Sequence, residues 1–131
     1  MDFMAVTEEK KKILLIGDDE IHLSAAANIL TSEYEISTAK SVTEALLLLY
    51  KGFIPNLILF DNIMSQIEEG WSTYNRIKAI TLLHEIPITF FASLNDKNEI
   101  EHAHIIGPAD YITKPYEAEE LLKWAAAIIN R

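Results

Sequence analysis

Leu57-Ile58-Leu59-Phe60-Asp61 runs four large apolar residues straight into one carboxylate. A short apolar run without alternation reads as a strand buried on both faces, as in a parallel sheet. Pro55-Asn56 punctuates its start. Asp61 then falls where the strand leaves the core, and in open α/β sheets that carboxyl end is where ligands bind. Asp also starts many turns, so this residue alone fixes neither reading.

A second buried-strand run, Ile13-Leu14-Leu15-Ile16, ends in Gly17-Asp18-Asp19-Glu20. Carboxylates in a first helical turn suit the helix dipole, and a helix is expected over Ile21–Leu30, with Ile21, Ala25, Ile29 and Leu30 apolar. Tyr34–Ala39 alternates like a short strand near an edge. Ser41-Val42-Thr43-Glu44 has the form of a capping box, predicting a helix through Tyr50 that Gly52 closes. Beyond Asp61, Asn62–Gly70 reads as a loop. Tyr74, Ile77 and Ile80 then mark a helix from Trp71 to about Leu83, with Trp71 and Tyr74 as packing residues. Pro87 opens a strand over Ile88–Ala92. A polar helix over Asn95–Ile106 stops at Gly107-Pro108, and Tyr111-Ile112 is a brief strand before Thr113-Lys114-Pro115. The last helix is Glu117–Ile129, with Leu121, Leu122, Ala125 and either Ile128 or Ile129 inside.

Strand and helix thus alternate five times. That pattern predicts a doubly wound, five-stranded parallel sheet with helices on both faces, because each parallel crossover is right-handed. Residues 1–9 form a loose lead, and 10–131 form one domain without repeat or linker.

Half of the 131 residues are hydrophobic, as in a globular chain with a core. The absence of cysteine excludes disulfides, a thiolate nucleophile and Cys-type metal sites. No run approaches the length of a membrane span and no signal peptide is present, so a cytoplasmic location without membrane attachment is expected. Twenty acidic residues against eleven basic ones give a formal charge of −9, which argues against direct nucleic-acid binding by this domain. Lys10-Lys11-Lys12 reads as a solvated lead-in.

Asp18 and Asp19 end the first strand, Asp61 the third and Lys114 the fifth. With strand order 2-1-3-4-5 the switch point lies between strands one and three. There the carboxylates are expected to converge, with the Lys114 side chain reaching across. Close carboxylates repel unless one is protonated or a cation neutralises them. Hard oxygen ligands suit Mg²⁺, and the histidines, His22, His84, His102 and His104, do not compose a zinc site. Such a cation beside a carboxylate and an ammonium suits phosphoryl transfer with the carboxylate as nucleophile. No glycine-rich phosphate loop marks a nucleotide donor.

The chain resembles a response regulator receiver domain. The matches are Ile13-Leu-Leu-Ile-Gly-Asp18-Asp19-Glu20, Tyr34-Glu-Ile-Ser-Thr-Ala39 with Thr43-Glu-Ala-Leu46, Leu57-Ile-Leu-Phe-Asp61 with Met64, Pro87, and Asp110-Tyr111-Ile-Thr-Lys114-Pro115. Each is weak alone; the ordered set, spanning about residues 12–129, is specific. The resemblance implies a flavodoxin-like fold similar to chemotaxis regulators. It implies that Asp61 accepts a phosphoryl group from a histidine kinase or phosphotransfer protein, and that Asp19, Asp61 and the Ile63 backbone carbonyl bind Mg²⁺ directly, with Asp18 acting through water. It further implies that Lys114 contacts the phosphoryl oxygens, that the Lys114–Pro115 bond is cis and that Tyr111 is the aromatic switch. The domain is then a phosphorylation-controlled switch rather than a free-standing enzyme, although it assists its own phosphotransfer.

Several departures stand out. Ala92 occupies the position where the family usually has Thr or Ser, and Ser93 follows; alternation along a strand points Ser93 the other way, whereas a bend at the strand end would let it reach the phosphoryl group. Ser65 stands where Pro is usual, Gly70 comes one residue late, and Pro108 stiffens the loop before strand five. Ile63 and Leu94 are apolar where polar residues would position a hydrolytic water, so slow self-dephosphorylation is expected. The Ala92 departure favours a pseudo-receiver, a phosphorylation-independent interaction module; the intact acid set and Lys114 favour the switch. Aspartate-nucleophile phosphatases usually carry their nucleophile on the first strand with a second Asp two residues on. A flavin protein would need a phosphate-cradling loop where Asp18-Asp19 stands. By resemblance, signalling to an output domain or partner protein runs through the face of helix four, strand five and helix five, about Asn95–Ile106, Tyr111–Ile112 and Glu117–Ile129. The sequence leaves open a homodimer on that face, the identity of the kinase, and whether the receiver is excised from a longer protein.

Overall fold

The computed structural model describes residues 10–61, 75–93 and 110–131, with the backbone alone for Ala92, Ser93, Asp110 and Tyr111. The two unpunctuated apolar runs become the central strands, β1 (Lys12–Ile16) and β3 (Leu57–Phe60). Between them lie α1 (Glu20–Leu30), β2 (Glu35–Ala39) and α2 (Val42–Tyr50). Then follow a helix described over 75–83, here α3, β4 (Ile88–Ser93), β5 (Asp110–Lys114) and α4 (Ala118–Ile129). The strands form one parallel sheet, as the alternation predicts, and their order β2-β1-β3-β4-β5 is the one that places the switch point between β1 and β3.

Period-two alternation divides the core between the two faces of the sheet. Leu14, Ile16, Ile58, Phe60 and Phe90 pack with Val42, Ala45, Leu46 and Leu49 of α2 and with Ile77 of α3. On the other face, Ile13, Leu15, Leu57, Leu59, Phe91 and Ile112 meet Leu23, Ala26 and Leu30 of α1 and Leu121, Ala125 and Ile128 of α4. Residues on both faces of the central strands are therefore fully buried, which is why their runs carry no polar alternation.

Register is fixed at both ends of the central pair. Ile13 lies opposite Leu57 and Ile16 opposite Phe60. At the amino end the Asn56 side chain accepts from Lys12 N at 2.8 Å while Asn56 N donates to Lys12 O at 2.7 Å. At the carboxyl end Asp61 N donates to Ile16 O at 2.7 Å and Gly17 N to Ala39 O at 3.0 Å. The ladder thus continues past the strands and sets the backbone of Gly17 and Asp61 side by side.

The structure corrects several local expectations. The inner face of α1 is Leu23, Ala26 and Leu30, while Ile21 is 86% exposed and Ala25 is exposed. The buried set recurs at i, i+3 and i+7, one helical face, and Ile21 and Ala25 lie off that face. Only half of the expected reciprocal cap at α2 forms, with Ser41 Oγ accepting from Glu44 N at 3.1 Å. Tyr34 belongs to the turn before β2, where its N–H donates to Leu30 O at 3.0 Å. The fifth strand spans five residues rather than two, because its pairing with β4 runs from Thr89–Asp110 to Ser93–Lys114. Gly52 follows α2 with φ +97°, the left-handed turn that ends the helix. The lead 1–9, the loop from Asn62 with Ile63, Met64 and Gly70, Trp71 and Tyr74, and Leu94 with the helix at Asn95–Ile106 and Gly107-Pro108 lie outside the described residues.

Candidate functional site

Parallel strands point their carboxyl ends the same way, so the residues that end β1, β3 and β5 share one rim of the sheet. Asp61 leaves β3 there and is 1% exposed. Lys114 is the last residue of β5, two strands away, and its Nζ lies 2.9 Å from Asp61 Oδ1. This is the contact that the sequence anticipates. The peptide bond between Lys114 and Pro115 is cis.

A second contact is one that sequence reasoning missed. His22 Nδ1 lies 2.8 Å from Asp61 Oδ2. An ionised carboxylate offers only acceptors, so Nδ1 carries the hydrogen and donates it. The other ring nitrogen, Nε2, is 3.2 Å from the Tyr116 hydroxyl. The imidazole meets Phe91 edge-on at 5.0 Å between centroids and Tyr116 at 5.9 Å, while Phe91 and Tyr116 stack at 5.7 Å. His22 lies in the first turn of α1. Side chains on a helix lean toward its N-terminus, which here is the rim that holds Asp61. That lean after a strand–turn–helix junction is the signal that could have singled it out.

Burial raises the pKa of Asp61. Hydrogen bonds from His22 and then Lys114, with their charges, outweigh burial and hold the carboxyl below its ordinary value of 3.8. Burial also raises the Tyr116 phenol, and the nearby Asp61 charge adds to that. Asp61 is thus an ionised, desolvated carboxylate with a donor on each oxygen, and no buried side-chain polar atom among the described residues lacks a partner.

Asp18 and Asp19 stand at the same rim but are exposed. Asp19 Oδ1 accepts from Ile21 N at 3.1 Å and His22 N at 3.2 Å, which makes it the N-cap of α1. Among the described residues no three acidic or histidine side chains are gathered tightly enough to hold a metal ion. The expected convergence of carboxylates is therefore replaced in this conformation by the Lys114 and His22 donors around Asp61. Even so, the donor set fits a hard divalent cation in kind. It consists of carboxylates that follow the adjacent strands β1 and β3, next to a backbone so close that a Cβ on Gly17 would stand 3.0 Å from that of Asp61. Ala92 and Ser93 both lie in β4, opposite Thr113 and Lys114, and Tyr111 lies in β5 opposite Phe90. The side chains of Ala92, Ser93 and Tyr111, and all of Ile63, are outside the described residues.

A hollow of about 540 Å³ lies at the opposite rim, lined by Asn56, Glu85, Pro87 and Arg131 among others, and shares no residue with this cluster. No helix among the described residues is long and apolar enough to cross a membrane.

Residues 13–126 match the family described as the response regulator receiver domain. The chain is 29% identical to the two-component response regulator ORR6 of Oryza sativa subsp. japonica over 92% of its own length and 72% of that protein's. It spans about half the length of other curated relatives that it matches. Two crystal structures align with 94% of this chain and the whole of theirs at 26% identity. One is from Chloroflexus aurantiacus, with a TM-score of 0.78. The other is a CheY-like response regulator receiver domain protein from Methanospirillum hungatei, with a TM-score of 0.69.

Proposed function

Since the chain belongs to the response regulator receiver domain family of two-component systems, we propose that Asp61 is its phosphoacceptor and that the domain is a phosphorylation-controlled switch. The observation that carries this is the ionised Asp61 carboxylate, 1% exposed, held 2.9 Å from the Lys114 ammonium at the ligand-binding rim of the sheet.

A carboxylate oxygen of Asp61 supplies the electron pair for a new O–P bond. The P–N bond of a phosphohistidine breaks, and its electron pair stays on the donor imidazole, which takes up a proton. Lys114 moves from the carboxylate to the phosphoryl oxygens, where its charge offsets the charge of the transferring group. Asp18, Asp19 and Asp61, with the Ile63 carbonyl, would hold Mg²⁺. When bound, the cation supplies electrophilic stabilisation of the phosphoryl oxygens. The donor is a histidine kinase or phosphotransfer protein, and the output runs to a further domain or partner protein. The reading is of a cytoplasmic switch that assists its own phosphotransfer and turns over no small substrate.

The test is intact mass after incubation with acetyl phosphate and Mg²⁺. Gain of one phosphoryl group, abolished by Asp61→Ala and by a chelator, is the expected result. No gain from acetyl phosphate or from phosphorylated kinase, with Mg²⁺ binding verified, would turn the reading to a phosphorylation-independent interaction module.

A further inference from the structure

Both oxygens of Asp61 are engaged, and only one engagement belongs to the phosphoryl chemistry above. Lys114 can follow the charge from carboxylate to phosphoryl group. His22 cannot do the same without leaving its seat. Its Nδ1–H is spent on Oδ2 at 2.8 Å, its Nε2 is tied to the Tyr116 hydroxyl, and its ring is wedged against Phe91. An oxygen that accepts a charge-assisted hydrogen bond is a poorer nucleophile and a poorer cation ligand than a free one, because the same lone pairs are used. Anything that needs Oδ2 must first displace the imidazole.

We propose that His22 is a positioning residue that holds Asp61 Oδ2 in the resting domain and must release it before the acceptor is loaded. This rests on the reading of Asp61 as phosphoacceptor. Tyr116 sets the strength of the hold, since it fixes the far side of the ring. Tyr116 also lies two residues after Lys114, so one short segment supplies both restraints on Asp61, Lys114 directly and Tyr116 through His22. Loading the acceptor then frees Tyr116 from its imidazole partner. That gives the segment before α4 a report of phosphorylation that does not depend on a hydroxyl at Ala92.

Three variants separate the parts. His22→Phe keeps a ring against Phe91 and removes both nitrogens. His22→Asn returns an amide donor near the Nδ1 position. Tyr116→Phe removes only the hydroxyl. The readouts are the rate of phosphorylation by acetyl phosphate, followed by intact mass, and the Mg²⁺ affinity of the unphosphorylated protein by calorimetry. His22→Phe is expected to be phosphorylated roughly tenfold faster and to bind Mg²⁺ more tightly, the size expected for loss of one charge-assisted hydrogen bond. Tyr116→Phe should shift both in the same direction by less, and His22→Asn, which returns a donor to Oδ2 but not the tie to Tyr116, should match Tyr116→Phe rather than His22→Phe. A misfolded variant gives no gain in rate. Equal or slower phosphorylation of both His22→Phe and Tyr116→Phe, with Mg²⁺ affinity unchanged, would overturn the proposal. Wild-type protein that takes no phosphoryl group on Asp61 refutes the phosphoacceptor reading instead, and the Mg²⁺ titrations still decide the role of His22.

Discussion

Lys114 Nζ and Asp61 Oδ1 meet at 2.9 Å although 53 residues separate them in the chain. The lysine side chain is 24% exposed and the aspartate 1%, so the pair is dry on the carboxylate side and wet on the other. Lys114→Met leaves Asp61 with His22 as its remaining side-chain donor. The expected loss is about 2–3 kcal/mol in urea unfolding, somewhat under the range for breaking a wholly buried pair. Phosphorylation by acetyl phosphate should fall by about a hundredfold, as for removal of one preorganised donor from a developing charge. Unchanged stability would show that His22 alone satisfies the carboxylate.

Gly17 is the residue that lets β1 and β3 close ranks at the rim. A methyl group there would stand 3.0 Å from Asp61 Cβ and 3.5 Å from Leu23 Cδ1. Asp61 Cβ is anchored to the backbone, which is hydrogen-bonded to Ile16. Gly17→Ala is therefore expected to cost about 1–3 kcal/mol by overpacking. If Asp61 is the proposed phosphoacceptor, the substitution should also slow phosphorylation by moving Asp61; wild-type rates in the folded variant would contradict this.

Tyr34 is 8% exposed, and burial followed by the neighbouring Glu33 charge raises its phenol above the ordinary 10.0. A raised pKa in the folded state means stability that is complete below the unfolded value and lost as pH rises through the folded one. Wild-type protein should thus weaken above about pH 10 more steeply than Tyr34→Phe when thermal midpoints are compared between neutral and alkaline pH. Parallel curves would show that Tyr34 ionises without unfolding the turn.

Asn56 serves as a clamp at the amino end, with its side chain and backbone both bonded to Lys12. Asn56→Ala removes the side-chain bond and leaves the backbone one. The expected cost is about 1 kcal/mol, a fall of about 4 °C in melting midpoint. No change in a melting curve would mean that water replaces the amide.

The buried centre of the sheet was legible because β1 and β3 are covered on both faces and their composition shows it, whereas the full strand order followed from the family resemblance and not from composition. The rim was legible because parallel strands deliver their carboxyl-end residues to one side whatever the loops do, which brought Asp61 and Lys114 together on paper. His22 was not legible by the same route. Histidines invite a search for other histidines, whereas this one acts alone through a phenol 94 residues away. The α1 phase was hidden for a related reason: Ile21 looks like a core residue by type, but the face that packs on the sheet is the one carrying Leu23, Ala26 and Leu30. Tyr116 follows the Lys114-Pro115 motif and was shadowed by it.

The partition of the core has a consequence of its own. Phe91 belongs to the cluster between α1 and α4, and Tyr116 packs against that cluster, whereas α2 and α3 rest on the other face of the sheet. The rings that hold His22 against Asp61 are therefore rooted in one half of the interior. Substitutions beneath α2 and α3 have latitude to drift, trading volume among aliphatic side chains, without retuning the charge centre. Those beneath α1 and α4 do not. The sheet separates the half of the core that carries the rings around His22 from the half that does not.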